Sequence, residues 1–138
     1  MEIRRITQVE AVKAAGHLFD DPPRQGATES FLADERHPLL IAYVDSVPTG
    51  MVTGVEMVHP DKGTEMFLYE PGVDESFRGR GVGRAPVSAL ADLARERDCY
   101  DMWAITDEGD AAAPATYGHT GGVPEEEQVV LVRTFERT

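Results

Sequence analysis

The sequence changes character between residues 65 and 106, and that change limits the folds open to it. Residues 65–73 (EMFLYEPGV) carry a strand-like apolar run, and residues 74–83 form a polar, glycine-rich stretch. Residues 84–97 then place Val87, Leu90, Ala91 and Ala94 at helical spacing on one face. Residues 102–106 (MWAIT) return to a strand pattern. A strand, a crossover helix and a second strand in one sheet run parallel through a right-handed connection. Part of the sheet is therefore expected to be parallel.

The rest of the chain builds out from this unit. Residues 2–7 alternate and predict a first strand. Residues 9–19 have helical spacing, which Asp20-Asp21-Pro22-Pro23 stops. A short second helix is expected at 28–33. Residues 39–44 (LLIAYV) are continuously apolar, as in a strand buried on both faces. Turns at 45–50 and 60–63 set off a strand at 51–58. The strands at 39–44, 51–58 and 65–73 then form an antiparallel meander. A short helix at 110–119 and a closing strand at 128–135 complete the order β-α-α-β-β-β-α-β-α-β. This is an α/β chain with a mixed sheet and helices on both faces. Its 138 residues suit one domain, 1–138.

Thirteen Lys and Arg stand against 25 Asp and Glu, a net charge of −12. That balance argues against nucleic acid, whose phosphates need cationic contacts, and against an anionic membrane surface. It would attract a cationic small molecule, although acidity also serves solubility alone. No apolar window is long enough to span a membrane. Met1-Glu2-Ile3-Arg4-Arg5 lacks the apolar core of a signal peptide, and Cys99 has no partner, so a cytoplasmic protein is expected. His17, His37, His59 and His119 lack metal-ligand spacing, so no metal is expected. Met102 and Trp103 are expected in the core, and Cys99 as a buried thiol.

The stretch Arg78-Gly79-Arg80-Gly81-Val82-Gly83-Arg84 lies between a predicted strand and a predicted helix. Glycines let consecutive amides turn inward with no Cβ in the way. Those amides and the positive end of the helix form an anion site. Arg78, Arg80 and Arg84 add three cations, against the acidic trend of the chain. A diphosphate suits such a loop. The Walker pattern is excluded, because no Gly-Lys precedes a Ser or Thr. The Rossmann fingerprint would need glycine where Arg84 stands.

Val73, followed by Arg78-x-x-Gly81-x-Gly83, resembles the acetyl-CoA signature of the GNAT superfamily of N-acetyltransferases. Asp110-x-x-Ala113-x-x-x-Tyr117-x-x-x-Gly121 is similar to that superfamily's second motif, and the element order matches over essentially the whole chain. Leu68-Tyr69-Glu70-Pro71-Gly72-Val73 looks most like aminoglycoside 3-N-acetyltransferases and close relatives. The resemblance implies the GNAT fold, with the two parallel strands splayed apart and acetyl-CoA lying in the gap. It implies cofactor contacts from Pro71, Gly72, Val73, Arg78, Gly79, Arg80, Gly81, Val82, Gly83, Arg84 and Asp110. It implies Glu70 as general base and Tyr117 as general acid in direct transfer to an amine. Glu65 and Glu56 are the fallback bases. The acceptor would be a cationic amine, an aminoglycoside first and another amine as the alternative. Asp20, Asp21, Glu29, Glu56, Glu65 and Glu125 are candidates to hold it. A weakly catalytic acyl-CoA-binding module is the rival reading, and a homodimer paired through the last strand is compatible with both.

Three prolines depart from the pattern. Pro71 stands where the superfamily offers a backbone N–H to the thioester carbonyl, and proline has none. Pro86 lies near the start of the long helix, and Pro114 about one turn into the helix bearing Tyr117; proline suits only a first turn.

Overall fold

A computed structural model of the chain describes residues 1–106, 123 and 128–137. Five strands form one sheet in chain order: β1 (Glu2–Arg5), β2 (Leu39–Val44), β3 (Val47–His59), β4 (Gly63–Val73) and β5 (Met102–Ala104). The first four pair antiparallel, and β5 pairs parallel to β4, with Met66 opposite Met102 and Leu68 opposite Ala104. The expected meander and the parallel pair are both present. Helices α1 (Val9–Ala14), α2 (Gln25–Ala33) and α3 (Arg84–Glu96), with 3-10 turns at Gly16–Leu18 and Glu75–Phe77, complete the described elements.

Alternation along the strands splits the core into two layers. Leu39, Ile41 and Met51 face one side, against Val12, Ala15 and Leu18. Leu40, Val52, Met66 and Leu68 face the other, against Val87, Leu90 and Ala94 of α3. That two-sided burial is why residues 39–44 read as a continuous apolar run. Full burial of Leu90 stabilises by about 1.5–3 kcal/mol relative to exposure. Pro86 is buried in the first turn of α3, where its missing N–H is one the helix leaves unpaired anyway.

Several boundaries differ from expectation. The first helix breaks at Ala15, and Gly16–Leu18 continues as a 3-10 turn, because glycine disfavours the α-helix interior. The second helix begins earlier, at Gln25. The turn expected over 45–50 shrinks to Asp45 and Ser46, both at positive φ, the pattern of a tight hairpin turn. Trp103 is not in the core; it is exposed and packs against Phe67, the rings tilted by 34° with centroids 4.4 Å apart. Residues 128–135 form no strand, and Val129, Val130, Leu131, Val132 and Phe135 are exposed. Their β propensity is real, but a strand needs a ladder, and β5 offers only a three-residue edge.

Two glycines set how closely the layers approach. A Cβ on Gly50 would lie 2.8 Å from the Val82 carbonyl oxygen, so that glycine lets the loop before α3 sit on the sheet. A Cβ on Gly72 would lie 1.9 Å from the Leu18 carbonyl oxygen. No side chain fits there, and backbone meets backbone. Gly72→Ala should therefore destabilise by about 1–3 kcal/mol or more through overpacking. Gly26→Ala, with open space around it in α2, should be neutral or stabilising. Urea denaturation of both variants tests this, and equal midpoints would refute the close approach.

Candidate active site at the free edge of β4

The site begins with a bulge. Thr53 pairs with Glu70 while Gly54 pairs with Leu68, so Tyr69 is an extra residue in β4. The Thr53 hydroxyl bridges the irregularity, accepting the Glu70 N–H at 3.2 Å and donating to the Glu70 carbonyl at 3.4 Å. Along a strand a residue's N–H and C=O address one edge, and successive residues alternate. Before the bulge, the Met66 N–H donates to the Asp101 carbonyl on the β5 side. After it, the N–H groups of Glu70 and Asp74 both donate toward β3, to Thr53 and Thr49. Gly72 shares their parity, so Pro71 and Val73 address the opposite edge. Since β5 ends opposite Leu68, that edge has no strand partner among the described residues. It presents the Pro71 carbonyl and both polar groups of Val73. Pro71 removes no ladder bond, which is why the strand tolerates it.

The chain then turns through a 3-10 segment, Glu75–Phe77, and reaches the glycine loop. Gly79 and Gly81 have φ of 80° and 78°, the left-handed region that favours glycine. A Cβ on Gly79 would meet nothing within 4 Å, and one on Gly81 only the tip of Arg84, so the space over the loop is open. Gly83 instead packs tightly, since a Cβ there would lie 2.8 Å from a Val73 methyl. Among the described residues, the amides of Gly79, Gly81, Val82, Gly83 and Arg84 donate no backbone bond outside the regular elements. Arg78, Arg80 and Arg84 have no carboxylate partner there either. Five donors, three guanidiniums and open space fit a diphosphate.

On the α1 side of the sheet, the structure brings three of the sequence-predicted carboxylates together. Glu70 Oε2 accepts the Asp20 backbone N–H at 2.8 Å. Asp20 and Asp21 line an open depression of about 390 Å³ with Gly16, Phe19, Pro22 and Pro23. Burial, followed by the Asp20 and Asp21 charges, pushes the Glu70 carboxyl above the usual carboxylate range, and the Asp20 N–H partly offsets this. The other candidates lie elsewhere. Glu29 is exposed on α2 and bonds to Gln25 at 2.6 Å. Glu56 is buried on the α3 side, paired with Arg97 at 2.8 Å. Glu65 accepts the Tyr100 hydroxyl at 3.1 Å, near the start of the parallel pair. Asp110, Tyr117 and Glu125 lie outside the described residues, as does Pro114. Sequence patterns alone did not find the Asp20 amide as a partner of Glu70, or His17 beside Asp74, because both are contacts between distant segments. The cap Asp74-x-Ser76 was readable as a local motif.

The model of the acetyltransferase (GNAT) family matches residues 3–121. The chain belongs to that family. It is an N-acetyltransferase, and the acetyl donor of GNAT enzymes is acetyl-CoA. A glucosamine 6-phosphate N-acetyltransferase of Trypanosoma brucei brucei is 29% identical over 107 residues, 72% of this chain and 71% of that protein. An L-2,4-diaminobutyric acid acetyltransferase of Streptomyces coelicolor is 42% identical over 52 residues, 37% of this chain and only 29% of the relative. In three dimensions the chain is similar to a soil-metagenome aminoglycoside acetyltransferase solved with sisomicin, at TM-score 0.86 and 17% identity, covering 98% and 96% of the two chains. It is also similar to aminoglycoside N-acetyltransferase AAC(6')-Iy solved with CoA, at TM-score 0.78 and 21% identity, covering 97% and 99%. These structural likenesses establish the GNAT fold.

The environment of Glu70 yields a test. Asp20→Asn and Asp21→Asn each remove a negative charge facing Glu70 while keeping the Asp20 amide. In either variant the Glu70 carboxyl should titrate at lower pH than in the parent, extending its basic form toward acid. Carbon-13 NMR of the side-chain carboxyl reports this directly, and an unmoved titration would show that the two charges do not reach it.

Proposed function

We propose that the protein transfers an acetyl group from acetyl-CoA to the amine of a cationic small molecule, an aminoglycoside being the leading class. The observation that carries this reading is the position of Glu70. It stands one residue before the free β4 edge, joined to Asp20, with the arginine-rich loop a short way along the same chain. Acetyl-CoA, when bound, supplies an activated acetyl thioester. The loop amides and Arg78, Arg80 and Arg84 would hold its pyrophosphate, and Pro71 O with Val73 N–H and C=O would meet the arm, much as an added strand pairs with an edge. Asp20 and Asp21 attract and orient the cationic acceptor. Glu70 takes the proton that an ammonium must lose before its nitrogen can attack, and its raised affinity for protons suits that task. The resemblance assigns Tyr117 the return of a proton to the leaving sulfur and Asp110 a donor contact. Cationic acceptors other than aminoglycosides satisfy the same carboxylates, and the relatives that act on glucosamine 6-phosphate and diaminobutyric acid keep amino sugars and diamines in the panel.

Thiol release from acetyl-CoA, measured across a panel of aminoglycosides, polyamines and amino acids, tests the reading. Turnover should be highest with polycationic acceptors, and Gly81→Val should lose most donor affinity by calorimetry, because valine is strained at this positive φ. No thiol release with any amine would overturn the proposal.

Pro71 supports a second reading, a binding module with slow catalysis. Its nitrogen addresses the free edge and carries no hydrogen. The Gly72 N–H addresses β3 and cannot replace it. Losing one oxyanion donor typically lowers turnover by about 10²–10³. Pro71→Leu should therefore raise turnover at least about tenfold on the same amine. Equal rates in steady-state assays would show that Val73 or another group already supplies the donor.

A further inference from the structure

The segment from His17 to Asp20 crosses the end of β4 in three contacts. Asp20 N–H meets Glu70, the Leu18 carbonyl rests on Gly72, and His17 Nε2 lies 3.3 Å from Asp74 Oδ2. The last contact has a role the proposed chemistry does not use. His17 Nε2 also lies 3.1 Å from the Pro48 carbonyl oxygen. Two acceptors converge on one ring nitrogen, so that nitrogen must carry the proton and share it between them.

Asp74 is the residue from which the donor loop departs. Its N–H donates to the Thr49 carbonyl at 2.9 Å, its Oδ1 accepts the Ser76 N–H at 2.9 Å, and its carbonyl accepts the Phe77 N–H at 2.9 Å. The Arg80 N–H in turn donates to the Phe77 carbonyl, and the Arg80 guanidinium sits 5.3 Å from the Phe77 ring centroid. A chain of direct contacts thus runs from His17 through Asp74 and Phe77 to Arg80. We propose that His17 is a positioning residue for the acetyl donor: by fixing the free oxygen of Asp74 it sets where the arginine-glycine loop leaves β4. The proposal rests on the donor site assigned above. His17 touches neither donor nor acceptor, so its effect falls on donor affinity and spares the chemical step.

The experiment measures coenzyme A binding by calorimetry and turnover at saturating acetyl-CoA. His17→Phe keeps a ring of similar size but donates nothing. It should weaken coenzyme A binding about fivefold, the usual worth of one hydrogen bond, while kcat at saturation changes by less than about twofold. His17→Gln, whose amide can reach both oxygens, should bind within about twofold of the parent. Asp74→Asn keeps the cap on Ser76 but turns the second oxygen into a donor facing a donor. It should match His17→Phe, and the double variant should lose little more than either alone. Parent-like affinity in His17→Phe or Asp74→Asn, or equal loss in His17→Gln and His17→Phe, would overturn the proposal. Circular dichroism establishes that each variant folds; if His17→Phe does not, Asp74→Asn and His17→Gln still decide the question. The donor-site assignment fails separately: Gly81→Val would then bind coenzyme A like the parent.

Discussion

One inserted residue organises the site. Tyr69 has no opposite number in β3, and its presence reverses which edge each later residue of β4 addresses. Up to Leu68 the strand gives its outer edge to β5. Beyond Tyr69 it gives its even-numbered amides to β3 and leaves Val73 looking outward. The same shift places Glu70 and Gly72 on the α1 side, where Asp20 and Leu18 meet them. Without the insertion, the sheet would continue its alternation, Glu70 would address β5, and proline at position 71 would cost the β3–β4 ladder a hydrogen bond. The unpaired edge, the placement of Glu70 and the tolerated proline are three results of a single irregularity.

Strength and openness are divided between the two faces. The α3 face closes over Leu40, Val52, Met66 and Leu68, and near its lower end Glu56 is buried in a pair with Arg97. Glu56 is buried while Arg97 reaches solvent, so losing Arg97 would strand the Glu56 charge away from water, which makes the pair a structural commitment. The α1 face closes over β2 and the neighbouring part of β3 with Val12, Ala15 and Leu18, and gives way to carboxylates where the chain passes Asp20 and Asp21. Carboxylates with no cationic partner among the described residues can attract a cation; a carboxylate already bound to arginine cannot. That difference separates Glu70, Asp20 and Asp21 from Glu56, although all four lie in or beside the same sheet.

The fold was largely legible because it rests on local periodicity. The apolar run at 39–44, the meander, the crossover helix with Val87, Leu90 and Ala94, and the parallel pair all follow from spacing. The glycine loop was legible because its glycines suit the left-handed backbone that positions 79 and 81 adopt. What could not be read were contacts between distant segments. Nothing in Asp20-Asp21-Pro22-Pro23 says that its first amide caps a carboxylate fifty positions on. Nothing near Glu56 announces Arg97. A bulge is equally silent, since strand patterns on either side of Tyr69 look continuous. Residues 128–135 misled for the opposite reason: their composition favours a strand, yet pairing depends on a partner that composition does not supply.

Strand order equal to chain order has a kinetic side. The hairpins β2–β3 and β3–β4 close through two- and three-residue turns, Asp45-Ser46 and Pro60-Asp61-Lys62, and such short loops form within microseconds. The outer strands are different. β1 reaches β2 only through the connection that carries α1 and α2, and β5 reaches β4 only through the one that carries α3. Long closures lose more chain entropy and form later. Those two connections are also where the acidic depression and the glycine loop lie. The central hairpins thus have the shortest closures, while the acidic depression and the glycine loop ride on the two longest. Substitutions in either long connection therefore leave the short-closure pairings of the sheet untouched, so these two segments can vary with little consequence for how the strands find their order.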